Sequence, residues 1–238
     1  MSSDHAVERA LVVSAHPDDV DFGAAGTVAT WTDAGTAVSY CLVTDGDAGG
    51  FDATVPRPQM AAIRRGEQEA AAKVVGVDDV IFLGYPDGRL VVTLELRRDL
   101  ARVIRRVRPQ RVLCPSPDRN WQSIHASHPD HLAAGEAAVS AVFPDARNPF
   151  AHPELLEEGL QPHAVAEVWM MAPPSANRFV DVTDAFERKM AALRCHTSQL
   201  PDPEAMCRWV RAWLEATASQ AGLPEGRLAE AFHVVDTA

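Results

Sequence analysis

Short β-rich apolar runs alternate with helical patterns from the start of this chain, and that alternation limits its fold more than any other feature. Strands are predicted over 11–14, 37–43, 80–83 and 111–114, with helices over 22–34, 59–75 and 94–107 between them. A strand that reaches its neighbour through a helix must run parallel to it, so the pattern predicts βαβ units. The expected fold class is α/β: a Rossmann-like, largely parallel sheet flanked by helices, in a single domain over 1–238 with residues 1–8 as a disordered tail. Further along, a short helix is expected over 135–142. A Pro-rich surface excursion over the site should follow at 143–162, then strands over 165–171 and 179–182. Thr183 or Asp184 is the expected cap of a helix ending at 193, and a last helix covers 203–217. That helix carries Trp209 and Trp213 four apart on one face, read as core or subunit contact.

Two short acidic histidine clusters follow predicted strands. Ala15-His16-Pro17-Asp18-Asp19 comes directly after the first strand, and Ser127-His128-Pro129-Asp130-His131 follows the fourth. Strand carboxyl ends are where open α/β sheets collect ligands. His16 and Asp19 stand three apart, so one helical turn aims both inward and leaves Asp18 pointing elsewhere; His128 and His131 repeat the spacing. One His and one carboxylate from the first cluster plus one His from the second make a divided set with an open position, the pattern of a catalytic Zn²⁺. Asp18 is then a spare carboxylate beside the metal, placed to act as a general base.

Composition narrows the partners. With 33 acidic against 22 Lys and Arg residues, the formal net charge is −11, which argues against nucleic acid or an anionic membrane and favours a small-molecule substrate. The one basic run, through Arg97, Arg98, Arg102, Arg105, Arg106 and Arg108, reads as the solvated face of a helix with Leu96, Leu100, Val103, Ile104 and Val107 turned inward. The widely spaced Cys41, Cys114, Cys195 and Cys207 form no disulfide framework and suit a reducing compartment. No run approaches the roughly 20 apolar residues of a membrane span, and the first residues lack a signal peptide's layout. The expected location is the cytoplasm.

In this order the motifs resemble the LmbE/PIG-L family of zinc-dependent N-acetylglucosamine deacetylases, the group that includes the mycothiol and bacillithiol biosynthetic deacetylases. The resembling elements are the two histidine clusters, Gly23 with Gly26-Thr27, Thr44-Asp45-Gly46-Asp47, Arg64 with Glu67, Leu83-Gly84 with Asp87, Arg108-Pro109, and Lys189 with His196-Thr197-Ser198-Gln199. The resemblance implies that His16, Asp19 and His131 hold Zn²⁺ or another divalent metal. It makes Asp18 the base for a metal-activated water, and His128 the acid or the cation that stabilises the oxyanion. Arg64 and Asp87 match positions that contact the sugar or a group attached to it. Asp130 either orients a histidine or caps the helix that follows. The implied activity is removal of the N-acetyl group from an N-acetylglucosamine-containing small molecule, and relatives assemble as trimers or hexamers, which implies a homo-oligomer. Val20-Asp21 replaces the family's common Glu after the paired aspartates, and no Tyr precedes the second cluster between Asn120 and Ser127, which puts carbonyl polarisation on the metal with His125 or His128. Two other readings stand beside this one: an amidase of larger conjugates, and a non-catalytic sugar- or nucleotide-binding module using the glycine-rich loops.

Overall fold

The computed structural model describes residues 7–237. Of the tail expected over 1–8, residues 1–6 lie outside the described residues, and the carbonyls of Val7 and Glu8 accept hydrogen bonds from Thr36 Oγ1 and the Ala37 amide. The elements run in the order β1 (Arg9–Ser14), α1 (Asp19–Asp33), β2 (Ala37–Thr44), α2 (Arg57–Val74), β3 (Asp79–Tyr85), α3 (Leu94–Val107) and β4 (Arg111–Pro115). After these come α4 (Pro129–Ser140), α5 (Glu154–Glu157), β5 (Glu167–Met171), β6 (Arg178–Asp181), α6 (Phe186–Leu193), α7 (Pro203–Gln220) and β7 (Ala229–Asp236). All strands join one sheet in the order β3-β2-β1-β4-β5-β7-β6. The first five pair in parallel; β7 runs antiparallel to both β5 and β6.

The strand order explains where a site must form. From β1 the chain moves outward through α1 to β2 and through α2 to β3, and then α3 returns it across the sheet to β4 on the other side of β1. The loops leaving β1 and β4 therefore diverge, and the crevice between them at the strands' carboxyl ends is the topological switch point. Both histidine clusters are borne on these two loops.

Apolar layers on the two faces of the sheet fix the helices above it. One contains Leu11, Val13, Cys41 and Val112 against Leu100, Ile104, Ala134 and Ala138 of α3 and α4. The other sets Val12, Tyr40, Leu42 and Leu113 against Val28, Ala71 and Ala192 of α1, α2 and α6. A smaller cluster joins α7 to α6 through Val210, Leu214, Met190 and Leu193. Lys189 of α6 and Glu230 of β7, both closed to solvent, grip one turn of α1. The ammonium donates to the Asp21 and Phe22 carbonyls and to Glu230, whose carboxylate accepts the Gly26 and Thr27 amides.

Several expectations need correction. The segment 143–162 does not pass over the site but lines the opposite end of the sheet. Arg105, in the last turn of α3, is buried there, not solvated, and donates to the carbonyls of Asp145, Ala146, Asn148 and Ala151. The His163 ring lies 2.7 Å from the Pro109 carbonyl, just before β4 begins. Neither Thr183 nor Asp184 caps α6 through its side chain; Asp181 instead accepts from the Thr183 amide and hydroxyl and opens a short 3₁₀ turn. Trp209 and Trp213 stack at 5.6 Å with Trp209 58% exposed, so this pair is not core. Strand β7 was not anticipated: Glu230 sits in its apolar run and interrupts a pattern that becomes intelligible only beside Lys189.

Candidate active site

The turn after β1 is shaped by its own side chains. The backbone amide of His16 donates to Asp19 Oδ2 at 2.8 Å, and Ser14 Oγ donates to the His16 carbonyl at 2.9 Å. Asp18, the residue before α1, takes a left-handed backbone with φ 85°. That kink lets α1 start at Asp19, earlier than expected, so Asp19 points back along the strand end. On the other loop, His128 caps α4 by accepting the Asp130 amide at Nδ1, 3.2 Å away. Helix α4 thus starts at Pro129, and His131 lies in its first turn. Gly135 one turn later packs on the end of β4, where a Cβ would stand 2.3 Å from the Pro115 carbonyl. Only glycine permits that approach.

These elements bring His16, His128 and His131 together, with nitrogen atoms within 4.8 Å of one another. Asp19 stands between two of them, Oδ1 at 3.1 Å from His131 Nε2 and Oδ2 at 3.4 Å from His16 Nδ1. The expected ligands His16, Asp19 and His131 therefore converge, and their chemistry fits a divalent cation. His16 Nε2 lies 3.0 Å from Asp87 Oδ1 and 3.1 Å from Asp130 Oδ2, so that nitrogen carries the ring proton. In the neutral ring Nδ1 then offers a lone pair towards a carboxylate oxygen, an arrangement that calls for a positive charge between them. A ligating histidine with its far N–H held by carboxylates is the usual outer-shell device of metal sites.

Burial disfavours the cation of His16, yet Asp19, Asp130 and Asp87 outweigh it and push its pKa up to about 12, so the carboxylates around the ring demand a positive charge; a divalent cation on Nδ1 would take the place of that nitrogen's proton. Burial would raise the Asp19 carboxyl, but His131 and His16 hold it well below the usual range. For His128 the shift is downward, from burial and from the neighbouring His16 and His131. Its neutral form is favoured, and since Nδ1 accepts the Asp130 amide, the proton sits on Nε2. Asp18 is pushed up to about 7 by burial and by Asp19, against the pull of Arg64, His196 and His16.

Arg64 and Asp87, expected at the substrate, are buried in the walls. Arg64 donates to the Pro17 carbonyl at 2.5 Å, to the Gly46 carbonyl at 2.9 Å and to Asp18 Oδ2 at 3.2 Å. Gly46 lies so close beneath it that a Cβ would stand 2.5 Å from the guanidinium carbon. Asp87 accepts the Ala48 amide with its other oxygen. Asp130 does not cap α4; besides His16 it accepts the Gly88 and Leu90 amides, tying the loop after β3 to the site. His125 lies on an exposed 3₁₀ turn. In the tail motif, Thr197 and Ser198 bind Glu67, and Gln199 accepts the Gly50 amide.

Sequence reasoning missed Gln68. It accepts the Asp18 amide at 2.9 Å and donates to Asp21, and its spacing of four from Arg64 on one helix face was the available signal.

Similarity to known proteins agrees with this geometry. The PIG-L family pattern, described as GlcNAc-PI de-N-acetylase, matches residues 11–142. The chain belongs to the PIG-L family. It is 36% identical over 196 residues to the diacetylchitobiose deacetylase of Thermococcus kodakarensis, covering 82% of this chain and 72% of that one. It is 31% identical to a probable N-acetyl-alpha-D-glucosaminyl L-malate deacetylase 2 of Bacillus cereus, over 79% of this chain and 82% of that protein. In structure it resembles the N,N'-diacetylchitobiose deacetylase of Pyrococcus horikoshii, with a TM-score of 0.88 and 31% identity over 96% of this chain and 84% of the other. PIG-L membership covers both histidine clusters, since the matched region runs through α4.

Proposed function

We propose that this protein is a metal-dependent hydrolase that removes the N-acetyl group from an N-acetylglucosamine-containing small molecule. The observation that carries the reading is Asp18: a carboxylate next to Asp19, which stands between His16 and His131, and itself held by Arg64 instead of by those histidines. The relatives named as deacetylases of diacetylchitobiose and of an N-acetylglucosaminyl malate support the substrate class.

An amide is a poor electrophile with a poor leaving group, so its hydrolysis needs both a polarised carbonyl and a proton for nitrogen. A divalent cation held by His16, Asp19 and His131, with zinc suited to this nitrogen and oxygen donor set, supplies the Lewis acid that polarises the carbonyl and acidifies water. Asp18 takes the proton from the attacking water, as the carboxylate of the first cluster that is left outside the donor set. Arg64 holds that carboxylate in place. His128, neutral with its proton on Nε2, donates a hydrogen bond to the developing oxyanion, and the proton that Asp18 took from water passes to the departing amine nitrogen. Asp87 and Asp130 fix the ring of His16. We further place the protein in the cytoplasm as a homo-oligomer, a trimer or hexamer. The free cysteines, the lack of any described helix long and apolar enough to cross a membrane, and the exposed Trp209 and Trp213 are compatible with that placement.

The test is product analysis on a panel of N-acyl amino sugars and larger amide conjugates, with and without a chelator. Acetate release from the amino sugars that stops on chelation is expected. Release of only bulkier acids would replace the deacetylase with an amidase, and turnover indifferent to chelation would overturn the metal assignment.

A further inference from the structure

Asp18 is held in a backbone conformation that its own side chain disfavours. A residue with a Cβ rarely sits at φ 85° unless its surroundings over-determine it; the Asp18 carbonyl accepts the Asp21 and Phe22 amides, but its side chain makes no capping hydrogen bond to α1. The surroundings come from a chain of buried side chains on the turn after α6, on α1 and on α2. His196 Nε2 lies 2.8 Å from Asp21 Oδ2, Gln68 Nε2 donates to the same oxygen at 2.9 Å, and Gln68 Oε1 accepts the Asp18 amide at 2.9 Å. All three side chains are shut off from solvent.

The chain has a direction. Because a carboxylate only accepts, Gln68 must turn its nitrogen towards Asp21 and its oxygen towards Asp18; a flipped amide would oppose oxygen to oxygen. Asp21 is anchored in turn by His196. Arg64, four residues before Gln68 on the same face of α2, holds the other side of the same peptide through the Pro17 carbonyl and also the Asp18 carboxylate. The relay nonetheless leaves His196 Nδ1 and Asp21 Oδ1 buried without partners.

We propose that His196, acting through Asp21 and Gln68, is a positioning residue that fixes Asp18 against the metal-ligand set. The inference rests on the reading of Asp18 as the general base. A base misplaced by an ångström slows proton transfer without changing how the substrate or the cation is held.

The test compares metal-loaded wild type with His196→Asn and Gln68→Met, measuring acetate release, KM and metal per chain. The expected result for both variants is a kcat lower by roughly 10- to 100-fold, with KM and metal content close to wild type. Gln68→Met keeps the length of the side chain and removes both hydrogen bonds, so it carries the test if His196→Asn fails to fold. A kcat per metal-loaded chain equal to wild type would overturn the inference, as would an activity loss that follows metal loss. An inactive wild type would overturn the deacetylase reading and this inference with it, whereas an active wild type with unimpaired variants overturns the inference alone.

Discussion

His16 shows how differently the two ends of one side chain can be read. Its place in the first cluster was legible because His and Asp three apart after a strand is a pattern with a chemical reason. Its second nitrogen was not legible, since the carboxylates that hold it come from the loop after β3 and from α4, 71 and 114 residues away. Asp87 and Arg64 were recognised as site residues by resemblance, but only the fold assigns their contacts, in which both are buried and bound to other side chains and loop backbone. Asp130 offers the sharpest test at this scale. Asp130→Asn keeps the shape and loses the anion that orients His16, and divalent-cation affinity should fall about 10- to 100-fold, as measured by competition with a chromogenic chelator. Unchanged affinity would remove Asp130 from the support of the metal site.

Among the elements, α3 was read with the right bounds because its apolar residues recur at helical spacing, and the structure adds Thr93 as its cap. Helix α4 was expected six residues too late, because its opening Pro-Asp-His resembles a turn and the cap is a histidine ring. The contact that seats α4 predicts its own consequence. Gly135→Ala drives a methyl into the Pro115 carbonyl, and unfolding free energy should drop by about 1–3 kcal/mol, with weaker cation binding as His131 shifts; denaturant titration measures the first. The excursion at 143–162 was misplaced because nothing in its composition says which end of the sheet it covers. His163 beside it lies against the Pro109 carbonyl, before β4 begins. Burial lowers its pKa, against the bond to Pro109 and together with Arg108. A depressed folded pKa means its stabilising contribution is present above about pH 6.5, the ordinary value, and is lost as pH falls through the lower folded value. His163→Gln should therefore flatten the decline in stability between neutral and mildly acidic pH, and a variant with the wild-type pH dependence would contradict this.

Across the whole molecule, alternating strands and helices were sufficient to predict a parallel sheet, but not its antiparallel edge. Strands β6 and β7 close the sheet through a buried Glu230 whose partner lies on α6, a pairing no local pattern displays. The strand order then unites the two histidine clusters at the switch point without further assumption, and the remaining network behind α1 and α2 is directed at one residue. The central claim is that Asp18 does the proton transfer for an amide hydrolysis in which it binds no metal. The most direct measurement is acetate release by the Asp18→Asn variant beside wild type, with bound metal quantified in both. The account predicts full metal content and a kcat reduced by roughly 10²- to 10⁴-fold; an Asp18→Asn enzyme that turns over at the wild-type rate would contradict it.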